Sequence, residues 1–295
     1  MPQRKSVLIA NRGEIAIRIA SAAASLGLRS VAVCSADDKG SLHTLKADAC
    51  VVLPGRGPAG YLDQHAVIAA ALAESCDMIH PGYGFLSENP DFARRCEDNG
   101  ITFVGPSSEV LQLFCDKVSA RSLAISLYVK VPLGTEGATT LDEAQAFFAA
   151  LNEGGVAMIK AVAGGGGRGM RVVRSAADLP EAYERCRSEA LAAFGNDAVY
   201  VEEFLAKARH VEVQVLGDGQ GDAVHFWDRE CSLQRRHQKL VEIAPSLGVE
   251  PVLRQAILDA ALRLARETNY RGLATFEFLA ETETRPARFH FMEAN

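Results

Sequence analysis

The sequence predicts an α/β protein: a parallel sheet covered by helices, then a small mixed α+β unit, then an antiparallel sheet. Three observations carry this: strands alternating with helices up to residue 104, a glycine-rich flap between two strands near the middle, and cleanly alternating strands toward the end. Residues 6–10 read as a short buried strand. Asn11-Arg12-Gly13-Glu14 then turns into a helix in which Ile15, Ile19, Ala23 and Leu26 repeat at helical spacing, closed by Gly27. Further strands fall at 31–35, 50–53, 78–80 and 101–104, with helices between them such as 62–74. Ligands of such sheets sit beyond the carboxyl ends of the strands, where residues 11–14 and 81–85 both fall. The same glycines also serve tight turns.

A helical linker over 109–127 and a turn-rich stretch over 132–140 open the second unit. A helix at 141–151, a strand at 156–162, a helix at 179–194 and a strand at 198–205 complete it. The third unit begins with the alternating run Val211-Glu212-Val213-Gln214-Val215. It turns through Gly217-Asp218-Gly219 and returns over 223–227 as a hairpin. A helix at 252–266 and two strands end the chain.

The flap has five glycines in the six positions 164–169, a backbone able to approach a ligand closely with its N–H groups free for phosphate oxygens. Gly164, Gly166 and Gly169 formally satisfy G-x-G-x-x-G, and Gly164 and Gly169 have Walker A spacing. Both motifs fail on context, because Met170 and Arg171 follow and open a strand, which offers no helix N-terminus to a pyrophosphate. Lys160, on the strand before the flap, can neutralise phosphates beneath it. A surface hairpin tip is the alternative.

The last two strands, around Glu277 and Glu293, flank a polar turn whose midpoint is Arg285. A hairpin centred there makes the glutamates cross-strand neighbours. Opposed like charges destabilise a sheet unless something bridges them, and Mg²⁺ held by carboxylates and nucleotide phosphates is a usual bridge. Asn295 lies on the same face. A register one residue off would leave both glutamates merely solvated.

Between the first hairpin and the helix at 252–266, six of the twelve residues 228–239 are charged, four of them basic. This reads as a loop, either a local anion site or a solvated charged segment. The formal net charge of −6 leaves no footprint for nucleic acid or an anionic membrane, and no apolar run approaches a membrane span. Seven dispersed cysteines without a C-x-x-C pair read as reduced thiols in a cytoplasm-like compartment and argue against zinc.

The chain resembles the biotin carboxylase component of biotin-dependent carboxylases, in the ATP-grasp superfamily. The resemblance is carried by residues 9–16, by His80-Pro81-Gly82-Tyr83-Gly84-Phe85-Leu86-Ser87-Glu88-Asn89, by Asp116-Lys117 and by the flap. It continues through His210-Val211-Glu212 and from Arg229 to Lys239. It implies a Rossmann-like N-terminal domain (1–113), a helical linker (114–131), an ATP-grasp lid subdomain (132–205) and an incomplete ATP-grasp C-terminal subdomain (206–295). Lys117 and Lys160 would contact ATP phosphates, with Gly166 and Gly167 covering them. Glu202, Glu203, Phe204 and Leu205 would form the hinge strand against adenine. His210, Gln234 and His237 would line the nucleotide, His237 counting with Lys239 as catalytic. Lys239 would hold bicarbonate, and Glu277, Glu293 and Asn295 would ligate Mg²⁺ or Mn²⁺.

The implied reaction joins ATP and bicarbonate to carboxyphosphate, then carboxylates biotin on a carrier protein, for an acyl-CoA, pyruvate or urea carboxylase. Partners would be a biotin carboxyl carrier, a carboxyltransferase and a second copy in a homodimer. An ATP-grasp ligase for another acceptor and an inactive nucleotide-binding fragment are the alternatives. The sequence departs from the family pattern in having Glu203 for a lysine, Ala294 for a methionine, a longer turn over 281–288, and no glycine-valine-proline run after Leu127. The family's bicarbonate-orienting arginine and valine, its base glutamate and a biotin-side arginine lie beyond Asn295. Residues 1–295 alone are therefore expected not to carboxylate free biotin.

Overall fold

The computed structural model describes residues 4–152, 154–162, 169–235 and 238–295. The chain divides into two compact units, Met1–Gln112 and Leu113–Asn295. In the first, β1 (Ser6–Ile9), α1 (Gly13–Ser25), β2 (Arg29–Cys34), α2 (Leu42–Lys46) and β3 (Ala49–Val52) follow in turn. Next come α3 (Gly57–Leu62), α4 (Gln64–Ala73), β4 (Met78–His80), α5 (Pro90–Asp98) and β5 (Thr102–Phe103). The strands pair in parallel in the order β3-β2-β1-β4-β5. Central β1 is buried on both faces, which is why it reads as an unbroken apolar run. Leu8 joins Val31, Val33, Ile79, Phe92 and Phe103 in one core, while Ile9 packs on Ala16, Ile19 and Ala20 of α1.

Local chemistry sets where the chain turns. The side chains of Asp63 and Asn89 accept the N–H groups of Ala66 and Phe92 and so start α4 and α5. Beyond β1, Asn11 Nδ2 donates to the carbonyls of Pro81 at 2.7 Å and Tyr83 at 2.8 Å, joining the two loops at the carboxyl end of the sheet. Gly82 has φ +69°, and a Cβ there would lie 2.7 Å from Asn11 Nδ2, so this position requires glycine.

The helix α6 (Ser108–Cys115) leads into the second unit. Instead of one continuous linker helix, the chain breaks at Asp116, whose carboxylate accepts the N–H groups of Val118 and Ser119 and caps α7 (Lys117–Ser126). An aspartate at that position favours a helix start over a helix interior, and it makes Lys117 the first residue of α7. After α8 (Leu141–Ala150), opened by a Thr140–Glu143 capping box, come β6 (Ala157–Ala161), β7 (Met170–Val173), α9 (Leu179–Phe194) and β8 (Val199–Glu203). The three strands form an antiparallel sheet in the order β7-β6-β8, with α9 against β6 and β7. Residues 163–168 of the flap lie outside the described residues.

The remaining elements are β9 (Arg209–Asp218), β10 (Ala223–Arg235), β11 (Gln238–Ile243), α10 (Pro251–Glu267), β12 (Arg271–Glu281) and β13 (Arg288–Ala294). They build an antiparallel sheet in the order β11-β10-β9-β12-β13. Alternation divides its two faces. Val211, Val213 and Val215 of β9 stand opposite Phe278, Phe276 and Ala274 of β12, all buried, and α10 packs on β9 and β10. His210, Glu212 and Gln214 therefore present the opposite face. Of the segment 228–239, residues 228–235 and 238–239 are strand rather than loop: β10 runs on to Arg235 and pairs with β11 through register shifts at Glu230, Leu233 and Gln234.

Candidate functional site

The β12–β13 hairpin puts Glu277 opposite Glu293, as the sequence predicts, but by another route. Next to the turn Phe278 pairs with Phe291 and Glu281 with Arg288, one residue off a turn centred on Arg285, and a β-bulge between Glu277 and Phe278 restores the pairing of the two glutamates. Beside them, Thr275 and Asn295 exchange both backbone hydrogen bonds, at 2.8 and 2.9 Å, so Asn295 continues the ladder. Its Nδ2 donates to Glu277 Oε1 at 2.7 Å.

The opposed charges at this hairpin do not by themselves require the metal bridge expected from the sequence, because Lys239 and Lys117 already neutralise them. Glu277 is buried and takes His210 Nε2 on one oxygen and Lys239 Nζ, at 2.7 Å, on the other. Glu293 faces Lys117 at 3.8 Å. Burial pushes the Glu277 carboxyl up, but His210 and Lys239 outweigh it and hold it down at about 2. Lys239 is shared with Glu212, which also receives Arg229. Burial works to lower Lys239, and the two carboxylates overcome this and raise it.

His210, Glu212 and Glu277 bring one ligand atom each within 4.8 Å of one another. Two carboxylates and an imidazole are a mixed oxygen and nitrogen donor set, which suits a borderline transition-metal ion better than hard Mg²⁺. Gln234 Nε2 supports the cluster from behind, donating to the Cys231 carbonyl at 2.9 Å and to His210 Nδ1 at 2.7 Å.

A second group of charges lies between α7 and the β7-β6-β8 sheet. Lys160, in the middle strand β6, is buried and paired with Glu202 of β8, its cross-strand diagonal neighbour. Arg121 of α7 reaches the other Glu202 oxygen at 3.8 Å and donates to the Pro132 carbonyl at 2.9 Å. Burial acts to lower Lys160, but Glu202 and the more distant Glu293 prevail and raise it. Lys117 goes the other way: burial lowers it, and the charge of Lys160 adds to the effect. Three cations, Lys117, Lys160 and Arg121, thus meet two carboxylates, Glu202 and Glu293, in a largely dehydrated setting. A surplus positive charge held in low dielectric suits a polyanion such as a nucleotide phosphate chain.

The expected hinge residues are at and just after the end of β8. Their backbones are engaged on one side, Glu203 N donating to the Leu133 carbonyl at 2.8 Å and Phe204 N to Val156 O at 2.7 Å, with Leu205 following. Gly166, Gly167 and His237 lie outside the described residues. Sequence reasoning missed Arg121, Arg229 and the part played by the Glu202 side chain. Glu212 had a usable signal, since it stands two residues from His210 on an alternating strand and so on the same face. Arg121 had none, its partner being far off in sequence.

Comparison with known proteins bears on this geometry. Residues 116–295 match the family described as carbamoyl-phosphate synthase L chain, ATP binding domain, and residues 3–111 match biotin carboxylase, N-terminal domain. The chain is 51% identical to pyruvate carboxylase of Bacillus subtilis over 99% of its own length and 25% of that protein. It is 48% identical to biotin carboxylase of Pseudomonas aeruginosa over 99% of its length and 64% of that protein. The chain thus spans a quarter of the one relative and less than two thirds of the other.

Among solved structures, a biotin carboxylase–β,γ-ATP complex from Campylobacter jejuni superposes with a TM-score of 0.94 at 40% identity, covering 99% of this chain and 65% of that one. The biotin carboxylase domain of Hydrogenobacter thermophilus 2-oxoglutarate carboxylase, in complex with MgADP, ADP and bicarbonate, gives 0.93 at 37% identity, covering 100% and 64%. With a parallel-sheet first unit, antiparallel sheets in the second, and both parts matched in order, the chain belongs to the biotin carboxylase family, built on an ATP-binding domain of the carbamoyl-phosphate synthase L chain type.

Proposed function

We propose that this chain is the biotin carboxylase part of a biotin-dependent carboxylase, binding ATP with a divalent metal and bicarbonate to carboxylate biotin on a carrier. The observation that carries the reading is the meeting of two cation-rich groups in one unit: Lys117 beside Glu293 with Lys160 beside Glu202, and Lys239 beside Glu277. Phosphoryl transfer asks a protein mainly for positioning and charge, and these residues are fixed in place by buried partners before any substrate arrives.

In this reading Lys117 and Lys160 hold the phosphate chain, with the flap at 164–169 and His237 completing the pocket. Glu202, Glu203, Phe204 and Leu205 flank the adenine, and His210 and Gln234 line the ribose side. Glu277, Glu293 and Asn295 fit Mg²⁺ or Mn²⁺ by their chemistry, as oxygen donors on one hairpin. The metal would screen charge on the transferring phosphoryl group. Lys239 binds and orients bicarbonate, and Glu212 and Arg229 fix the direction of its ammonium group. Further assignments are a carboxyltransferase and a carrier as partners, a homodimer, a cytoplasmic setting, and the division at 113, 131 and 205. Among the described residues no helix is long and apolar enough to cross a membrane.

The test is ADP release by the whole gene product. A requirement for both bicarbonate and biotin, lost in Lys239→Met, is the expected outcome. Release that needs bicarbonate and an amine donor but ignores biotin would assign the chain to another ATP-grasp reaction.

A further inference from the structure

Two of the seven cysteines, dispersed in sequence, come together in the first unit. Cys34 ends β2 and Cys50 lies in the neighbouring strand β3, and the Cys50 thiol donates to the Cys34 sulfur at 3.6 Å. Cys34 is fully buried, whereas Cys50 is exposed. One sulfur is therefore accessible to a reagent and the other is shielded but in contact with the first.

We propose that Cys34 and Cys50 form a reversible redox pair, in which Cys50 reacts with a small disulfide and Cys34 resolves the adduct into an intrachain bond. The chemistry is two exchanges. Cys50 attacks a disulfide such as oxidised glutathione, giving Cys50–S–S–glutathione and one reduced glutathione. Cys34 then attacks the Cys50 sulfur, forming Cys34–S–S–Cys50 and expelling the second reduced glutathione. Each thiol gives up its proton to a leaving thiolate, and two electrons pass from the pair to the oxidant.

Two features favour closure and a third makes it reversible. The sulfurs are already in contact. β3 is the edge strand, paired on one side only, so it can shift against β2. The register sets Cys34 opposite Val52 and Cys50 opposite Ala32, so the bridge would run diagonally between strands, a span beyond that of an unstrained disulfide, and closing it requires that shift and leaves the bond strained. Such a bond is readily reduced again. Although the residue is exposed, its sulfur is partly covered, and this partial burial together with the contact to the Cys34 sulfur pushes the Cys50 thiol up to about 12. Exchange at neutral pH therefore runs through a small thiolate fraction, and the pair answers sustained oxidation rather than brief pulses.

The experiment incubates the folded protein with oxidised glutathione, blocks remaining thiols with an alkylating agent and maps the non-reduced peptides by mass spectrometry. The expected product is a Cys34–Cys50 crosslink that disappears on treatment with a thiol reductant. In Cys34→Ser the Cys50–glutathione adduct accumulates at least severalfold over wild type, because the resolving thiol is gone. In Cys50→Ser, Cys34 stays unmodified. Wild-type protein that holds glutathione on Cys50 without a crosslink would overturn the proposal, as would protein in which Cys50 does not react at all. The wild-type map decides even if a variant fails to fold.

Discussion

Glu277 and Glu293 face each other across the β12–β13 hairpin, yet each carboxylate is balanced by a cation of the chain: Glu277 by Lys239, with His210 as a further hydrogen-bond partner, and Glu293 by Lys117. A divalent ion at this hairpin must therefore compete with lysines rather than fill a void of charge. That competition separates the roles of the residues experimentally.

Lys239→Met should tighten Mn²⁺ binding, measured with metal alone, on the order of tenfold, since about 1.4 kcal/mol of lost competition suffices. Calorimetric titration of Mn²⁺ into wild type and variant checks this. Equal or weaker binding by the variant would show that Lys239 does not occupy the metal's carboxylates.

Glu202→Ala should cost about 3–5 kcal/mol of unfolding free energy, because it leaves Lys160 buried without its partner. Arg121→Ala should cost less, about 1–3 kcal/mol, through the unsatisfied Pro132 carbonyl and the reduced balance at Glu202. Urea unfolding of both variants is the measurement. A larger loss for Arg121→Ala than for Glu202→Ala would reverse the hierarchy argued here.

How far the sequence could be read follows from what each element displays. The opposition of Glu277 and Glu293 is expected from a turn centred on Arg285, but the strands next to the turn pair one residue off that register and a β-bulge after Glu277, which has no sign in the sequence, brings the glutamates opposite. The strands in 228–239 were not legible, since β11 is solvent-exposed along nearly its whole length and offers no apolar alternation to detect. The residues expected to touch phosphate were recognisable through a family resemblance, whereas the Arg121–Glu202 contact joins residues far apart in the chain with no local sign of it. The meeting of Cys34 and Cys50 likewise depends on which strands pair.

A pH dependence follows from His80 at the end of β4. Burial holds its imidazole below the ordinary value of 6.5, and Nδ1 accepts the Gly82 N–H at 3.0 Å, which requires that nitrogen to be unprotonated. Below pH 6.5 the unfolded chain takes up a proton that the folded chain resists, so stability falls as pH drops from there toward the folded-state value. His80→Asn, which keeps an acceptor but cannot titrate, should lose less stability than wild type between pH 7 and pH 5, compared by urea unfolding. Parallel losses in the two proteins would remove His80 as the source.

Gly82→Ala should destabilise the first unit by about 1–3 kcal/mol, since the new Cβ meets Asn11 and the backbone is left-handed there. Thermal unfolding checks this, with Gly84→Ala as the comparison, because Gly84 has a similar φ of +64° but open space around its Cβ. A Gly82 variant no worse than the Gly84 variant would contradict the close-contact argument.

Lys117 and Lys160, in a buried, positively biased group, are the proposed phosphate-binding residues. Calorimetric titration of Mg·ATP into wild type, Lys117→Gln and Lys160→Gln tests this assignment most directly, with circular dichroism confirming that each protein is folded. The account predicts measurable binding by wild type and a loss of about tenfold or more in each variant, corresponding to at least ~1.4 kcal/mol. Affinities unchanged in folded variants would contradict it.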